Sequence, residues 1–269
     1  MQMPSVEIVL EVAKYACAIL AGLVAGFVNT LAGNGSAITL PVLMLLGLDA
    51  NDANGTNRVG VALSSLAGAA TFRRRGLLVV DQIAWLIVPT ALGGAAGAAA
   101  AAQLRPDQMK IAIGVVMLVM LGLVVAKPRR WLHEGVDKPD HRSPSGICVL
   151  FAVGAYGGFI QAGVGIMLLA ALVLKSGYSL VRANPIKVVI VFTLTIPALI
   201  IFIANRQVHF ALGLLMASGQ VTGAWLAARF AAGHPKANIW IRRLLIVMIL
   251  AAVVKLFGID GFVLTFIRI

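Results

Sequence analysis

The chain has 269 residues, of which 60% are hydrophobic and only 12% are charged. An average soluble domain carries about 25% charged residues, so this chain cannot cover a water-facing surface, and an ordinary soluble globular protein is excluded. Long apolar runs with few charges are typical of transmembrane helices, and the alternating pattern of an outer-membrane barrel is absent. The sequence therefore predicts an all-α polytopic membrane protein.

The charge balance is strongly basic, with 22 Lys and Arg against 10 Asp and Glu and a net charge of +12. In a membrane protein such an excess collects in cytoplasmic loops, so we expect a lipid bilayer and no nucleic acid as partner. The two cysteines, Cys17 and Cys148, lie in apolar runs and indicate no disulfide framework. The first apolar stretch lacks a basic leading region, which favours a retained helix over a signal peptide.

Ten apolar segments follow one another along the chain. They cover approximately residues 8–32, 36–48, 59–72, 82–103, 109–126, 146–162, 164–174, 188–204, 209–232 and 244–267. The second and seventh segments are too short as helices to cross a hydrocarbon core about 30 Å thick, and each follows or contains a glycine-rich break. We expect them to be short broken or re-entrant helices that meet near the midplane, where protein or a water-filled cavity satisfies irregular backbone.

A hydrophilic linker at 127–145 divides the chain into a first membrane repeat, 1–126, and a second, 146–269. Glycines recur in order on its two sides with nearly constant spacing. The pairs are Gly22 and Gly26 with Gly154 and Gly158, Gly33 and Gly35 with Gly163 and Gly165, and Gly93 and Gly97 with Gly219 and Gly223. Spacings of the GxxxG type predict close helix packing. Five segments in each half, an odd number, predict two inverted repeats, an architecture typical of secondary transporters.

The basic residues are distributed unequally between the two sides of the predicted membrane. If the chain changes side at every segment, loops that include the central linker carry fifteen Lys and Arg, and the opposite side carries six. Cytoplasmic loops carry the excess. We therefore predict a cytoplasmic linker and an N-terminus outside.

Polar residues gather at the two breaks and near the start of the third and eighth segments. Short helices that begin near Gly35 and Gly165 would point free N–H groups and positive dipole ends inward, an arrangement that favours an anion. Arg58 and Lys187 add positive charge, although anchoring at lipid headgroups is an open alternative for both. The predicted substrate-binding residues are Asn29, Asn34, Gly35, Ser36, Asn54, Thr56, Asn57, Arg58, Gln161, Gly163, Gly165, Arg182, Asn184 and Lys187.

The acidic residues and the known catalytic motifs narrow the function further. Of the ten acidic residues, only Glu11 could lie near a span centre, whereas a cation transporter or proton pump normally has a buried carboxylate. The sequence contains no H-E-x-x-H, G-x-S-x-G or P-loop motif. We therefore predict no enzyme activity, no catalytic residue, no metal and no cofactor.

The glycine breaks, the motif from Gly55 to Arg58 and the run from Arg182 to Lys187 together resemble the sulfite exporter TauE/SafE family over about residues 15–257. The resemblance implies a bacterial inner-membrane permease of sulfite, sulfonates and related anions. We accordingly expect a multi-pass exporter of small sulfur-containing or organic anions that works by alternating access around a midplane site. The alternative is a membrane-embedded scaffold or assembly protein without transport activity. The expected partner is a small anionic substrate, and a homodimer is left open.

Overall fold

The computed structural model describes residues 3–78, 83–125, 144–174, 176–178 and 180–230. Those residues form helices joined by short turns, and no strand occurs among them. The helices are α1 Met3–Ala32, α2 Ser36–Leu45, α3 Ala50–Arg74, α4 Ala84–Ala102, α5 Pro106–Val125, α6 Pro144–Phe159, α7 Val164–Leu174, α8 Leu180–Ala204 and α9 Phe210–Phe230. The predicted tenth segment, 244–267, and nearly all of the predicted linker lie outside the described residues.

Four of the described helical stretches are long and apolar enough to cross a membrane. They are Glu11–Ala32, Ala84–Ala102, Arg182–Ala204 and Phe210–Phe230. Helix α3 is also long, with 25 residues, but its N-terminal half is rich in asparagine and carries Arg58. The predicted helical membrane class is therefore confirmed.

The boundaries predicted for the third and eighth segments were wrong. Helix α3 begins at Ala50 rather than near residue 59, and α8 begins at Leu180 rather than near residue 188. The polar stretches 54–58 and 182–187 are thus the first turns of helices, not the loops before them. An apolar run identifies only the part of a helix that faces lipid. Most of these polar side chains are buried against other parts of the protein instead, so the apolar pattern did not include them.

Helix α2 turns back along α1, and the two form a helical hairpin. Gly35 packs on the backbone of Ala25, and further along α2 Ile38 packs with Ala25 and Leu43 with Ala18. Gly33 makes the reversal possible, because its φ of +75° lies in the left-handed region that favours glycine. The predicted short helix after the first break is therefore present and runs opposite to α1.

The second half contains a matching hairpin of α6 and α7. Gly163 has the same φ of +75° as Gly33, and Val164 at the start of α7 packs against Gly157 near the end of α6. Helix α6 ends inside the bundle, because Gly158 lies on the backbone of Gly94 in the middle of α4. A helix that stops there exposes its last carbonyl groups to the interior of the protein.

Glycines bring two pairs of helices into backbone contact. On the α1–α9 pair the glycines are Gly22, Gly26, Gly219 and Gly223, and on the α4–α6 pair they are Gly93, Gly97, Gly154 and Gly158. A Cβ atom added to any of them would run into the backbone of the facing helix. The close packing predicted from the GxxxG spacings is confirmed.

Helices α3 and α8 cross the centre of the bundle side by side and in opposite directions. Gly55 near the start of α3 contacts Phe202 near the end of α8, and Gly68 further along α3 contacts Val188 near the start of α8. Helix α3 also packs on α9, and α8 packs on α4. Helix α3 contains Arg58 and helix α8 contains Lys187, and each of these buried side chains contacts one of the two hairpins.

Candidate functional site

The two helix breaks touch each other. The backbone N–H of Gly165 donates a hydrogen bond of 3.1 Å to the carbonyl oxygen of Gly33, and a Cβ on Gly33 would lie 2.5 Å from the Cα of Gly165. The N-terminal end of α7 therefore lies against the break from which α2 begins. Because the breaks touch, the positive ends of the α2 and α7 dipoles lie close together. Gly35 at the start of α2 has no side chain that could cap the N–H groups there.

Arg58 on α3 reaches across to the carbonyl end of α6. One guanidinium nitrogen donates to the Gly157 carbonyl at 3.1 Å and to Gln161 Oε1 at 2.9 Å, and the other donates to the Gly158 carbonyl. The guanidinium carbon lies 4.7 Å from the centroid of the Phe202 ring. Arg58 is fully buried, and it satisfies carbonyls that the end of α6 leaves without helical partners.

Lys187 on α8 makes the corresponding contacts at the end of α1. Its Nζ donates to the carbonyl oxygens of Asn29 at 3.3 Å and Thr30 at 3.1 Å, and to Asn184 Oδ1 at 2.7 Å. Lys187 is buried. Each cation thus caps a broken helix from the other half of the chain, at the end where the helix dipole is negative.

These positions change two interpretations made from the sequence. Arg58 and Lys187 lie at the carbonyl ends of α6 and α1, not at the N-terminal ends of the short helices α2 and α7. Because both side chains are buried in protein, the alternative that they anchor the chain at lipid headgroups is wrong.

A second group of polar contacts joins α2 to α3. Asn57 accepts a hydrogen bond of 2.5 Å from Thr39 Oγ1 and donates one of 3.0 Å to Ser36 Oγ. One turn earlier, Asn54 Nδ2 donates to the Phe159 carbonyl at 2.8 Å. Asn54 therefore holds the end of α6, and Asn57, one turn later on the same side of α3, holds the short helix α2.

The two amides at the breaks have different surroundings. Gln161 accepts from Arg58 and donates to Thr195 Oγ1 at 3.3 Å, so both of its amide atoms are engaged. Asn34 is 0% exposed, and neither of its amide atoms has a hydrogen-bond partner in the part of the chain that the structure describes.

Two of the predicted residues lie apart from this centre. Thr56 Oγ1 accepts from the backbone N–H of His209 at 2.9 Å, which ties α3 to the start of α9. Arg182 is exposed near the start of α8. Asn184 reaches the centre only through its bond to Lys187, and the other predicted residues lie at the two breaks or bond to them or to the helix ends beside them.

The sequence interpretation missed several contributors. Thr30, Thr195 and Phe202 contact the cations or Gln161, and the carbonyls of Gly157 and Gly158 are acceptors for Arg58. Backbone carbonyls have no side-chain signal in a sequence. The threonines and Phe202 fall in apolar runs, where they read as ordinary span residues.

The electrostatics of the centre are positive. Among the described residues, no Asp or Glu side chain is buried, and the described ion pair of Asp52 with His209, at 3.0 Å, is partly exposed. Carbonyl and amide oxygens solvate the two buried cations without cancelling their charge. An arrangement of this kind attracts an anion and repels a cation.

Comparison with known proteins gives consistent results. The family model described as Sulfite exporter TauE/SafE matches residues 18–256. The "Probable membrane transporter protein YfcA" of Escherichia coli (strain K12) is 26% identical over 207 residues, 77% of each chain. A "Probable membrane transporter protein" of Haemophilus influenzae is 27% identical over 84% of this chain and 88% of its own. "Probable membrane transporter protein ORF9" of a Sinorhizobium species is 24% identical over 88% of this chain and 90% of its own.

Proposed function

We propose that this chain, a membrane protein that belongs to the sulfite exporter TauE/SafE family, exports small anions such as sulfite or sulfonates across the bacterial inner membrane. The proposed path passes the touching breaks at Gly33 and Gly165, between the two buried cations. The relatives are named as probable membrane transporters rather than as enzymes, in keeping with a role in moving a solute.

The observation that carries the proposal is the pair of buried cations without a buried carboxylate among the described residues. A membrane-embedded Arg or Lys is costly, and such residues commonly mark substrate pathways. Arg58 and Lys187 lie within hydrogen-bonding distance of the segments that form the breaks. A substrate that approaches the converging ends of α2 and α7 would therefore meet a positive potential from two helix dipoles and two charges.

An alternating-access mechanism is supported by symmetry between the halves. Positive φ angles recur at a spacing of 130 residues, in Gly33 and Gly163, in Gly47 and Gly177, and in Gly76 and Arg206. The corresponding helices α3 and α8 run antiparallel, and the α1–α9 contact corresponds to the α6–α4 contact. We infer two inverted repeats, which can exchange conformations about a central site.

The membrane potential is sufficient to drive export. Moving one charge through 100 mV is worth about 2.3 kcal/mol, and with the inside negative an anion leaves the cell downhill. A dianion gains twice as much. Export therefore requires no buried proton carrier.

Flux measurements in proteoliposomes test the proposal. Vesicles that contain the full-length protein are loaded with radiolabelled sulfite, and efflux is followed with and without a potassium diffusion potential that is negative inside. We expect protein-dependent efflux that the potential accelerates. Arg58→Gln should reduce the efflux, whereas Arg105→Gln, a neutralisation of an exposed arginine, should not.

Two results would decide against the proposal. Folded wild-type protein that moves none of sulfite, methanesulfonate or ethanesulfonate would favour the scaffold alternative. Efflux that a negative interior slows would show that a cation accompanies or replaces the anion.

A further inference from the structure

Asn34 lies at the break where the N-termini of α2 and α7 meet, and its side chain bonds to no described group. It follows Gly33, whose carbonyl accepts a hydrogen bond from the N–H of Gly165 in the first turn of α7, and it precedes Gly35, from which α2 begins. The residue is 0% exposed, with both Nδ2 and Oδ1 unpartnered among the described residues. A buried amide without hydrogen bonds is unfavourable, so the protein alone gains no stability from it.

The geometry of the break does not require an amide at this position. The spacing that pairs Gly33 with Gly163 and Gly35 with Gly165 pairs Asn34 with Val164. Val164 is buried at the corresponding break, within an apolar cluster. Since the same kind of turn accommodates valine, the asparagine serves a purpose other than forming the turn.

Resting on the proposed function, we propose that Asn34 binds the transported anion and selects small anions that carry a hydroxyl group beside the anionic group. An asparagine amide both donates, through Nδ2, and accepts, through Oδ1. The oxygens of a sulfonate or carboxylate only accept, so they can satisfy Nδ2 and the N–H groups at the start of α2. A neighbouring hydroxyl supplies the donor that Oδ1 lacks.

Asn34 is the residue best placed for this selection. Gln161 is bonded on both sides, to Arg58 and Thr195, and Asn57 is bonded to Ser36 and Thr39. Those amides are held in position by the fold, whereas Asn34 still offers both of its hydrogen-bonding atoms. A site with an unpaired acceptor discriminates against a ligand that lacks the matching donor.

The test compares two anions of the same charge and head group, ethanesulfonate and 2-hydroxyethanesulfonate. Thermal-shift titration of the purified full-length protein in detergent measures the affinity for each. One added hydrogen bond corresponds to a preference of about tenfold for the hydroxylated anion. The pair propionate and 3-hydroxypropionate repeats the comparison with a carboxylate at the same hydroxyl spacing, and either pair can reveal the preference.

Asn34→Val copies the residue at the other break. We expect it to abolish the preference, to bind ethanesulfonate about tenfold more weakly because the Nδ2 hydrogen bond to the sulfonate is lost, and to melt no lower than wild type without ligand. Asn34→Ala, which is smaller than the amide, replaces it if valine lowers the melting temperature. The matched control is Asn51→Val, because Asn51 is also a buried amide but donates to the Leu104 carbonyl away from the breaks. It should melt lower and keep the preference.

The outcomes separate this inference from the proposed function. If wild type binds the anions without preferring a hydroxylated one, or if folded Asn34 variants keep the preference, the selectivity is not due to Asn34. Such a result would be expected if only a water molecule formed hydrogen bonds with the Asn34 side chain. If no anion shifts the melting temperature and none is transported, the proposed function has itself failed.

Discussion

Replacing Gly97 by alanine tests whether backbone contact between helices supports the fold. A Cβ at Gly97 on α4 would lie 2.7 Å from the carbonyl carbon of Ala155 and 2.8 Å from the nitrogen of Phe159 on α6. Those atoms are backbone and cannot rotate away, so the helices must separate. Overpacking of this kind costs about 1–3 kcal/mol. Gly122 on α5 has nothing within 4 Å of an added Cβ, and alanine there gains about 0.8–1 kcal/mol of helix propensity.

Both glycines lie inside helices, so the gain in helix propensity is the same for both variants, and they should differ in unfolding free energy by the overpacking cost, roughly 1–3 kcal/mol. At about 2–4 °C per kcal/mol for a chain of this size, Gly97→Ala should melt roughly 2–12 °C below Gly122→Ala in detergent. Gly97→Ala should also weaken anion binding, because Phe159 adjoins the Gly158 carbonyl that accepts from Arg58. Equal melting temperatures for the two variants would show that the α4–α6 contact does not limit stability.

Two further predictions concern charge and topology. Arg58→Gln and Lys187→Gln each remove a buried positive charge beside the proposed site. An interaction between such a charge and a bound anion is worth about 1.5–3 kcal/mol, so thermal-shift titration with sulfite should show at least a tenfold loss of affinity. A lower melting temperature with unchanged affinity would restrict that cation to capping its helix. In a variant without Cys17 and Cys148, the substitution Ser143→Cys should not be labelled by an impermeant maleimide on intact cells, because the excess of basic residues predicts a cytoplasmic linker. Labelling of this cysteine would mean that the linker lies outside.

The sequence predicted the helical class and the two breaks because glycine and hydropathy act locally. The short helices begin at Ser36 and Val164, close to the positions predicted. Close packing at the GxxxG spacings was predicted for the same reason, since a small residue on one helix face is a property of that helix alone, whereas the facing partners were not predicted. Whether the halves are inverted repeats stays a prediction, although their recurring turns support it.

The starts of α3 and α8 could not be predicted from local glycine and hydropathy patterns. A polar first turn resembles a loop unless its burial partners are known, and several of those partners lie in the other half of the chain. Arg58, for example, is bonded to Gly157, about 100 residues away. Arg58 and Lys187 are buried and no longer count as loop charges. Without them, fourteen basic residues lie on the side of the linker and five on the opposite side, so the charge difference still supports the predicted orientation.

The reciprocal capping of the broken helices has a consequence for biogenesis. The carbonyl end of α1 receives its cap from Lys187, more than 150 residues later in the chain, and Arg58 finds its acceptors only when α6 has been made. Within a bilayer, an uncapped helix end or an unpaired cation has no water to bond. We therefore expect the first half to remain incompletely folded in the membrane until α8 is inserted. We also expect that neither half forms a stable structure when it is expressed alone.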